Sequence, residues 1–598
     1  MFDSFKKMLA MLTPKERRRF ILLSIAIVAM ALTEVAGIGS ISPFLAVATD
    51  PEVVTRQPYL RFLYQRLGFD SPERFIAFLG LVVIAFVILR NVVAALVKYM
   101  EIRFGQMRNH SLAMRLLAKY LAHPYVFFLD RNSSQLSQHV LAEVGQVVSG
   151  YLIPAVEFMA KLVVAVAIII FLVVMNPLVA VLAAAVIGGL YALIFIAVRR
   201  TLGRLGRRRM EANRLRYKIA GEAFGGIKDV KLLGKEGMFL NEFKRPSRKM
   251  AESMATKGAI GALPRHAMDM LAFTAVISLI SVLSLRGRFE QAIPLVGVYA
   301  LAGYRLMPTF EQMFRYLAKM RGAQPVLEKL YEELHDDPAA DMRLPREAAD
   351  PLPFERSIEL EAVRFRYPNT DEDVICEQSL TIEANTTVGF VGPTGCGKTT
   401  MVDIILGLLT PTGGRLLVDG TPIEPHNVRN WQANLGYVPQ HIYLSDDTIA
   451  RNIAFGVAAE QVDHDRVAAA ARTANLADFI ETELPLGYNT IVGERGVRLS
   501  GGQRQRIGIA RALYIDPAVL VMDEATSALD GITEQAIMEA IEALAGRKTI
   551  IIIAHRLTTL QDADCIYLLD KGHITARGTY TELLQSNQRF QRMARLNT

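Results

Sequence analysis

The chain has 598 residues, of which 51% are hydrophobic and 21% charged, and its formal net charge is 67 − 59 = +8. It is too long for one compact core, and its apolar runs gather before residue 310, which is a membrane composition and not that of an average soluble protein. The basic excess is local: residues 199–249 hold 16 Lys or Arg against 5 Asp or Glu, directly after an apolar run. Positive-inside bias explains that placement better than nucleic-acid binding does, so no nucleic-acid partner is expected.

Residues 1–19 alternate basic and apolar positions and read as a cytoplasmic interfacial helix. A transmembrane domain over 20–333 is expected, with six spans near 20–49, 75–100, 155–175, 178–198, 268–285 and 292–316. Six spans leave both ends in the cytoplasm. The basic stretches 98–119 and 199–249 then lie inside, and their helical period predicts helices that project well beyond the membrane. The outer connection 50–74 contains Leu60, Leu63, Tyr64 and Leu67 at i, i+3, i+4 and i+7. This is an amphipathic helix, lying either on the outer membrane face or against its own spans.

Charged residues inside spans usually face a cavity or pair with one another. Candidates are Glu34, Arg90, Glu157, Lys161, Asp269, Arg305 and Glu311. Glu157 and Lys161 are spaced to pair with each other. Arg90 and Arg305 have no obvious local acidic partner, and a guanidinium fork suits an anionic head group, phosphate above all.

Prolines mark 334–356 as a linker. Beyond it, over 357–598, short β-type runs alternate with helical ones, which predicts an α/β domain with a largely parallel sheet. Its three cysteines, Cys376, Cys396 and Cys565, lack metal-ligand spacing and fit a reduced compartment. Between a strand pattern and a helix pattern lies Gly392-Pro393-Thr394-Gly395-Cys396-Gly397-Lys398-Thr399. Glycines let successive backbone N–H groups point at phosphate oxygens, Lys398 supplies charge for the outer phosphates, and Thr399 can ligate Mg²⁺. A second apolar strand ends in Asp523-Glu524. There Asp523 would hold Mg²⁺, and Glu524 would orient or deprotonate an attacking water.

From residue 357 onward the chain resembles the nucleotide-binding domain of ABC transporters. Leu499-Ser500-Gly501-Gly502-Gln503 matches that family's signature loop, which implies that Ser500, Gly502 and Gln503 read ATP held by a second copy in a homodimer. The resemblance also implies that Tyr367 stacks on adenine, that Gln440 reaches Mg²⁺ and the membrane domain, that Asp530 lies in the D-loop, and that His555 contacts the γ-phosphate. Together with Thr400 after the P-loop, these residues make the expected ATP and Mg²⁺ site, with Glu524, His555 and Gln440 as its catalytic members. Thr490-Ile491-Val492-Gly493-Glu494-Arg495-Gly496 resembles a loop typical of exporters, and family precedent makes the turns near 124–132 and 226–237 coupling helices.

Six spans ahead of one nucleotide domain is the exporter-type half-transporter arrangement: a polytopic α-helical membrane domain fused to an α/β P-loop NTPase. The outer amphipathic segment, the interior arginines Arg90 and Arg305, and Ala302-Gly303-Tyr304-Arg305-Leu306-Met307-Pro308 resemble bacterial lipid-linked oligosaccharide flippases of protein N-glycosylation. That resemblance implies ATP-driven flipping of a polyprenyl-pyrophosphate glycan across the cytoplasmic membrane, with the two arginines on the pyrophosphate. The alternatives are a lipid A or other glycolipid flippase, a drug or peptide exporter, and a membrane-bound ATP-gated regulator that transports nothing.

Overall fold

The computed structural model describes residues 2–49, 54, 57–69, 71–175, 177–285, 289–335, 349–368, 370–525, 531–554 and 556–596. Its contacts divide into two compact units, Met1–His123 with Phe127–Leu344, and Pro124–Val126 with Pro345–Thr598.

The first unit is helical. Its long helices are α1 (Pro14–Thr49), α2 (Pro72–Ala122), α3 (Ile153–Met175), α4 (Pro177–Gly225), α5 (Glu236–Leu285) and α6 (Phe289–His335). Each contains one of the six apolar stretches. Local chemistry sets where they begin. At α1, Thr13 Oγ1 accepts from the Glu16 N–H at 3.4 Å and Glu16 Oε2 accepts from the Thr13 N–H at 2.9 Å, a reciprocal cap with Pro14 at the first helical position. At α2, Ser71 caps the helix and Pro72 follows it. With 51 residues, α2 reaches about 75 Å at helical rise, well past a bilayer's hydrocarbon thickness. Among the described residues, Pro72–Ala122 and Ser133–Ile170 are long and apolar enough to cross a membrane, with best-window mean hydropathies of 2.6 and 2.3.

The N-terminal helix Phe2–Ala10 does not leave its apolar side free. Met8, Met11 and Leu12 are buried in one cluster with Val147, Tyr151 and Leu327. Interior charge is handled by partners distant in sequence. Arg108 meets Glu16 at 3.0 Å with both side chains buried, and Glu143 accepts from Arg209 at 3.1 Å and Asn213 at 3.0 Å. Glu157 corrects the sequence expectation, because it pairs with Lys98 on α2 and not with Lys161. The i, i+4 spacing on α3 loses to a cation on a neighbouring helix.

In the outer connection the helix Pro58–Arg66 splits its apolar residues. Leu60 is buried with Val47, Val54, Phe75 and Leu79, and Tyr64 packs against this cluster, its ring edge-on to Phe75 at 5.3 Å. Phe62, Leu63 and Leu67 are exposed. The helix thus packs on its own spans through Leu60 and Tyr64 and turns its other apolar residues outward.

Helices α4 and α6 cross backbone to backbone. A Cβ added at Gly206 would lie 2.3 Å from the Gly322 carbonyl oxygen, so only glycine fits. A Cβ at Gly322 would in turn meet Lys257 Cε of α5 at 2.7 Å.

Among its described residues the second unit has ten strands: β1 (Ser357–Phe365), β2 (Ile375–Glu383), β3 (Thr387–Val391), β4 (Gly413–Val418), β5 (Thr421–Pro422), β6 (Leu435–Val438), β7 (Val519–Asp523), β8 (Thr549–Ile553), β9 (Cys565–Asp570) and β10 (His573–Gly578). The main sheet has the order β10-β9-β3-β8-β7-β6, parallel from β9 to β6. Alternate side chains enter two separate cores: Leu520, Met522, Ile550 and Ile552 on one face, Val519, Val521, Ile551 and Ile553 on the other. Burial on both faces is why these strands read as unbroken apolar runs. A second, antiparallel sheet, β2-β1-β4-β5, stands beside the expected parallel one. In it β2 alternates buried and exposed positions from Gln378 to Glu383, as a strand covered on one face does.

Gly206→Ala should lower the thermal midpoint of the full-length protein, by about 1–3 kcal/mol of stability. Gly237→Ala, where an added Cβ meets nothing within 4 Å, should be neutral or slightly stabilising by the same thermal scan.

Candidate functional site

The carboxyl ends of the parallel strands collect the polar residues of the second unit. β3 runs into the glycine loop, and α7 (Lys398–Ile405) follows it. Gly392, Gly395 and Gly397 have φ of 152°, 78° and 104°. At Gly392 a Cβ would lie 2.3 Å from the Leu569 carbonyl oxygen, so the loop needs glycine for space as well as for conformation. Pro393, Thr394 and Gly395 are exposed at the rim, and Cys396 is buried beneath them. Lys398 is buried, and its Nζ donates to the carbonyls of Gly392 at 2.8 Å and Pro393 at 3.2 Å. An ammonium held by its own loop is a fixed charge, ready for an anion in the turn. Trp431 is fully buried and its Nε1 donates to the Ile405 carbonyl at 2.7 Å, which anchors the far end of α7.

Thr399 is exposed at the start of α7, whereas Thr400 is buried and its hydroxyl lies 3.1 Å from that of Tyr367. The Tyr367 ring stands edge-on to Phe365 at 5.0 Å, and its contact with Thr400 sets it beside the start of α7. At the end of β7, Asp523 is buried and Glu524 follows with φ of 50°, its N–H donating to the Ile553 carbonyl at 3.1 Å. Gln440, just after β6, donates from Nε2 to Glu524 Oε2 at 2.6 Å. Two residues 84 positions apart, both expected in catalysis, are thus in direct contact. Gln505, absent from the sequence reading, is buried and donates to the Glu524 carbonyl at 3.3 Å. Nothing in its immediate sequence marks it. Asp403 on α7 is pushed up to about 6 by burial and by the nearby Asp523.

The donor set for a divalent cation is a hydroxyl, a carboxylate and a carboxamide. Among the described residues no group of three or more His, Cys, Asp or Glu could form an all-protein cage. Sparse oxygen ligands of this kind suit Mg²⁺, which is usually bound through one or two carboxylates with substrate phosphates completing its shell. In the signature loop Ser500 caps α8 (Gly501–Tyr514). Its Oγ accepts from the Gln503 N–H at 3.1 Å, and Gln503 Oε1 accepts from the Ser500 N–H at 2.8 Å. Gly502 lies in the first turn of α8. Among the described residues no hydrogen bond joins Ser500 or Gln503 to the glycine loop. Asp530 and His555 lie outside the described residues.

The first unit holds a half-open cavity of about 710 Å³ lined by α4, α5 and α6 together with Gln146. Arg209, Lys257, Arg265, Arg315 and Lys319 line it, with Asp269 and Glu311 as its acids. Arg209 is held by Glu143 at 3.1 Å and Arg315 by Glu311 at 3.6 Å. Among the described residues Lys257, Arg265 and Lys319 have no acidic partner. Lys257, before the apolar part of α5, is pulled down to about 8 by burial and by Arg209 and Lys319. Of the two arginines expected to bind cargo, Arg90 is half-buried on α2, already holds an interaction, and does not line this cavity. The side chain of Arg305, on α6, lies outside the described residues. The basic lining was missed because charges flanking a span read as positive-inside residues. The legible signal was the four-residue stripe Lys257, Gly261, Arg265, Asp269 along one face of α5.

Comparison with known proteins agrees with this architecture. The family described as "ABC transporter transmembrane region" matches residues 20–286, and "ABC transporter" matches residues 376–527. A protein of Alkalilimnicola ehrlichii named "ATP-dependent lipid A-core flippase" is 34% identical over 413 residues, 69% of each chain. One of the same name from Cupriavidus pinatubonensis is 32% identical over 479 residues, 79% of this chain and 80% of that one. A solved structure titled "Structure of a bacterial Atm1-family ABC exporter with ATP bound" superposes with a TM-score of 0.79 at 26% identity, covering 98% of this chain and 99% of the other. With a helical exporter-type membrane domain fused to an ATPase domain that couples ATP hydrolysis to transport, the chain belongs to the ABC transporter family.

Proposed function

We propose that the protein works as a homodimer in the cytoplasmic membrane and moves an anionic glycolipid of the lipid A class between leaflets. The observation that carries this is the basic cavity, in which Lys257, Arg265 and Lys319 have no acidic partner among the described residues, in a chain similar to proteins named lipid A-core flippase. Phosphorylated sugars match such a lining, because guanidinium and ammonium groups bond phosphate with charge assistance. This reading replaces the polyprenyl-pyrophosphate glycan as first choice. One observation still favours that cargo: the exposed Phe62, Leu63 and Leu67 of the outer helix offer an apolar surface suited to a long tail. ATPase stimulation in proteoliposomes, compared between lipid A and polyprenyl-pyrophosphate sugars, decides between them. Stimulation by the second alone would overturn the lipid A reading.

For hydrolysis, the backbone turn and Lys398 grip the phosphates of ATP. Thr399, Asp523 and Gln440 would hold Mg²⁺, which neutralises charge on the outer phosphates when bound. Glu524 accepts the proton of the attacking water or orients it, and the bond from Gln440 Nε2 to its Oε2 fixes the direction of that carboxylate. Ser500, Gly502 and Gln503 of one copy, at the N-terminus of α8, would meet the outer phosphate held by the other. His555 and Asp530 complete the site on this reading. Closure on two ATP molecules and reopening after hydrolysis then drive alternating access.

Glu524→Gln should keep ATP affinity and lose turnover by about 100-fold or more, measured as phosphate release beside nucleotide binding. Lys398→Ala should weaken ATP binding itself, by about tenfold or more in a direct titration. The Lys257 ammonium is present below about pH 8 and lost as pH rises through that value. The lipid A concentration giving half-maximal ATPase stimulation should therefore rise between pH 7 and pH 9. Lys257→Arg should flatten that dependence, and Lys257→Met should need more lipid at every pH.

A further inference from the structure

On the face of α4 turned away from the cavity, a second cleft of about 310 Å³ opens against α6. Four arginines line it: Arg200, Arg204 and Arg207 from α4 and Arg321 from α6. The first three follow one another at i, i+4 and i+7, so they share a helix face, and like charges at that spacing destabilise a helix unless something neutralises them. Among the described residues none of the three has an acidic partner. Arg321 is fixed: its Nε donates to the Arg199 carbonyl at 3.3 Å and one terminal nitrogen donates to Gln324 Oε1. Gln324 Nε2 donates in turn to Glu328 Oε1 at 2.6 Å, which ties up the one carboxylate of the cleft. The floor at Gly203 lacks a side chain, and a Cβ there would lie 3.8 Å from Arg321 Nε.

We propose that this cleft is a second anion-binding site, which takes a phosphoester head group at the level of the cytoplasmic leaflet. Arg200 comes two residues after the apolar run of α4, and Arg207 about 10 Å further along the helix. The cleft therefore begins at the membrane surface and runs inward to the cytoplasm, where the head groups of anionic lipids lie. Snorkelling alone accounts for arginines that spread outward to water. It does not account for a fourth arginine, on another helix, held in place against them. No lining residue is shared with the larger cavity, because the two lie on opposite faces of α4. The site rests on the membrane orientation proposed above and is independent of the cargo.

The test uses the full-length protein in phosphatidylcholine nanodiscs doped with phosphatidylglycerol, with retained anionic lipid counted by native mass spectrometry. Arg204→Gln and Arg321→Gln, one on each helix, should each lower phosphatidylglycerol retention by about tenfold, and Arg204→Lys, which keeps charge but loses the fork, by less. A thermal scan of each variant in neutral lipid reports folding. Retention equal to that of the unaltered chain in both Gln variants overturns the proposal. So does an equal loss in Lys257→Met, which would merge the cleft with the larger cavity. Displacement of the lipid by millimolar pyrophosphate assigns the site to phosphate groups in general. Retention against pyrophosphate, with loss in the Gln variants, assigns it to bilayer-anchored head groups. Failure of lipid A to stimulate ATPase would sink the cargo reading and leave this site standing.

Discussion

Burial of the parallel strands on both faces is the constraint from which the ATP site follows. Apart from Tyr437, the polar side chains of β3, β8, β7 and β6 stand at strand ends, as Thr387, Thr549 and Asp523 do, because the apolar residues between them enter one of two cores. Polar chemistry is left only where the strands end, and parallel pairing puts all those ends on one edge. The glycine loop, Asp523-Glu524 and Gln440 are consequences of that arrangement. The tight turn at Gly392, closed against the Leu569 carbonyl, shows how little slack the edge allows.

The ATPase half was legible because its signals are local. A glycine loop between a strand and a helix, an acidic pair after an apolar strand, and Ser500 three residues before Gln503 each carry their structural meaning within a few residues. What was not legible there depends on distant partners. The Gln440–Glu524 bond spans 84 positions, and Gln505 reaches Glu524 through a backbone carbonyl that no side-chain pattern announces. The antiparallel sheet was under-read because its short alternating strands resemble the other strand runs of the domain.

The membrane half shows the opposite balance. Helix number and length follow from hydropathy, but partners for interior charge do not. Glu157 has a cation four residues away on its own helix and takes Lys98 of α2 instead. Arg108 finds Glu16, and Arg209 finds Glu143, across 92 and 66 positions respectively. Arg90 drew attention as an isolated charge in an apolar run, yet the cavity is lined by Lys257, Arg265 and Lys319, whose setting beside the apolar spans disguised them as positive-inside residues. Composition identifies which residues are costly in a membrane; only packing identifies which of them are left over.

The hydrogen bond from Gln440 to Glu524 has a consequence for economy. On the role proposed for Glu524, a carboxylate oxygen that accepts from a carboxamide is one that a water molecule must compete for. On that reading the amide also holds the carboxylate in one orientation between turnovers, which spares the site the entropy of ordering it anew for each ATP.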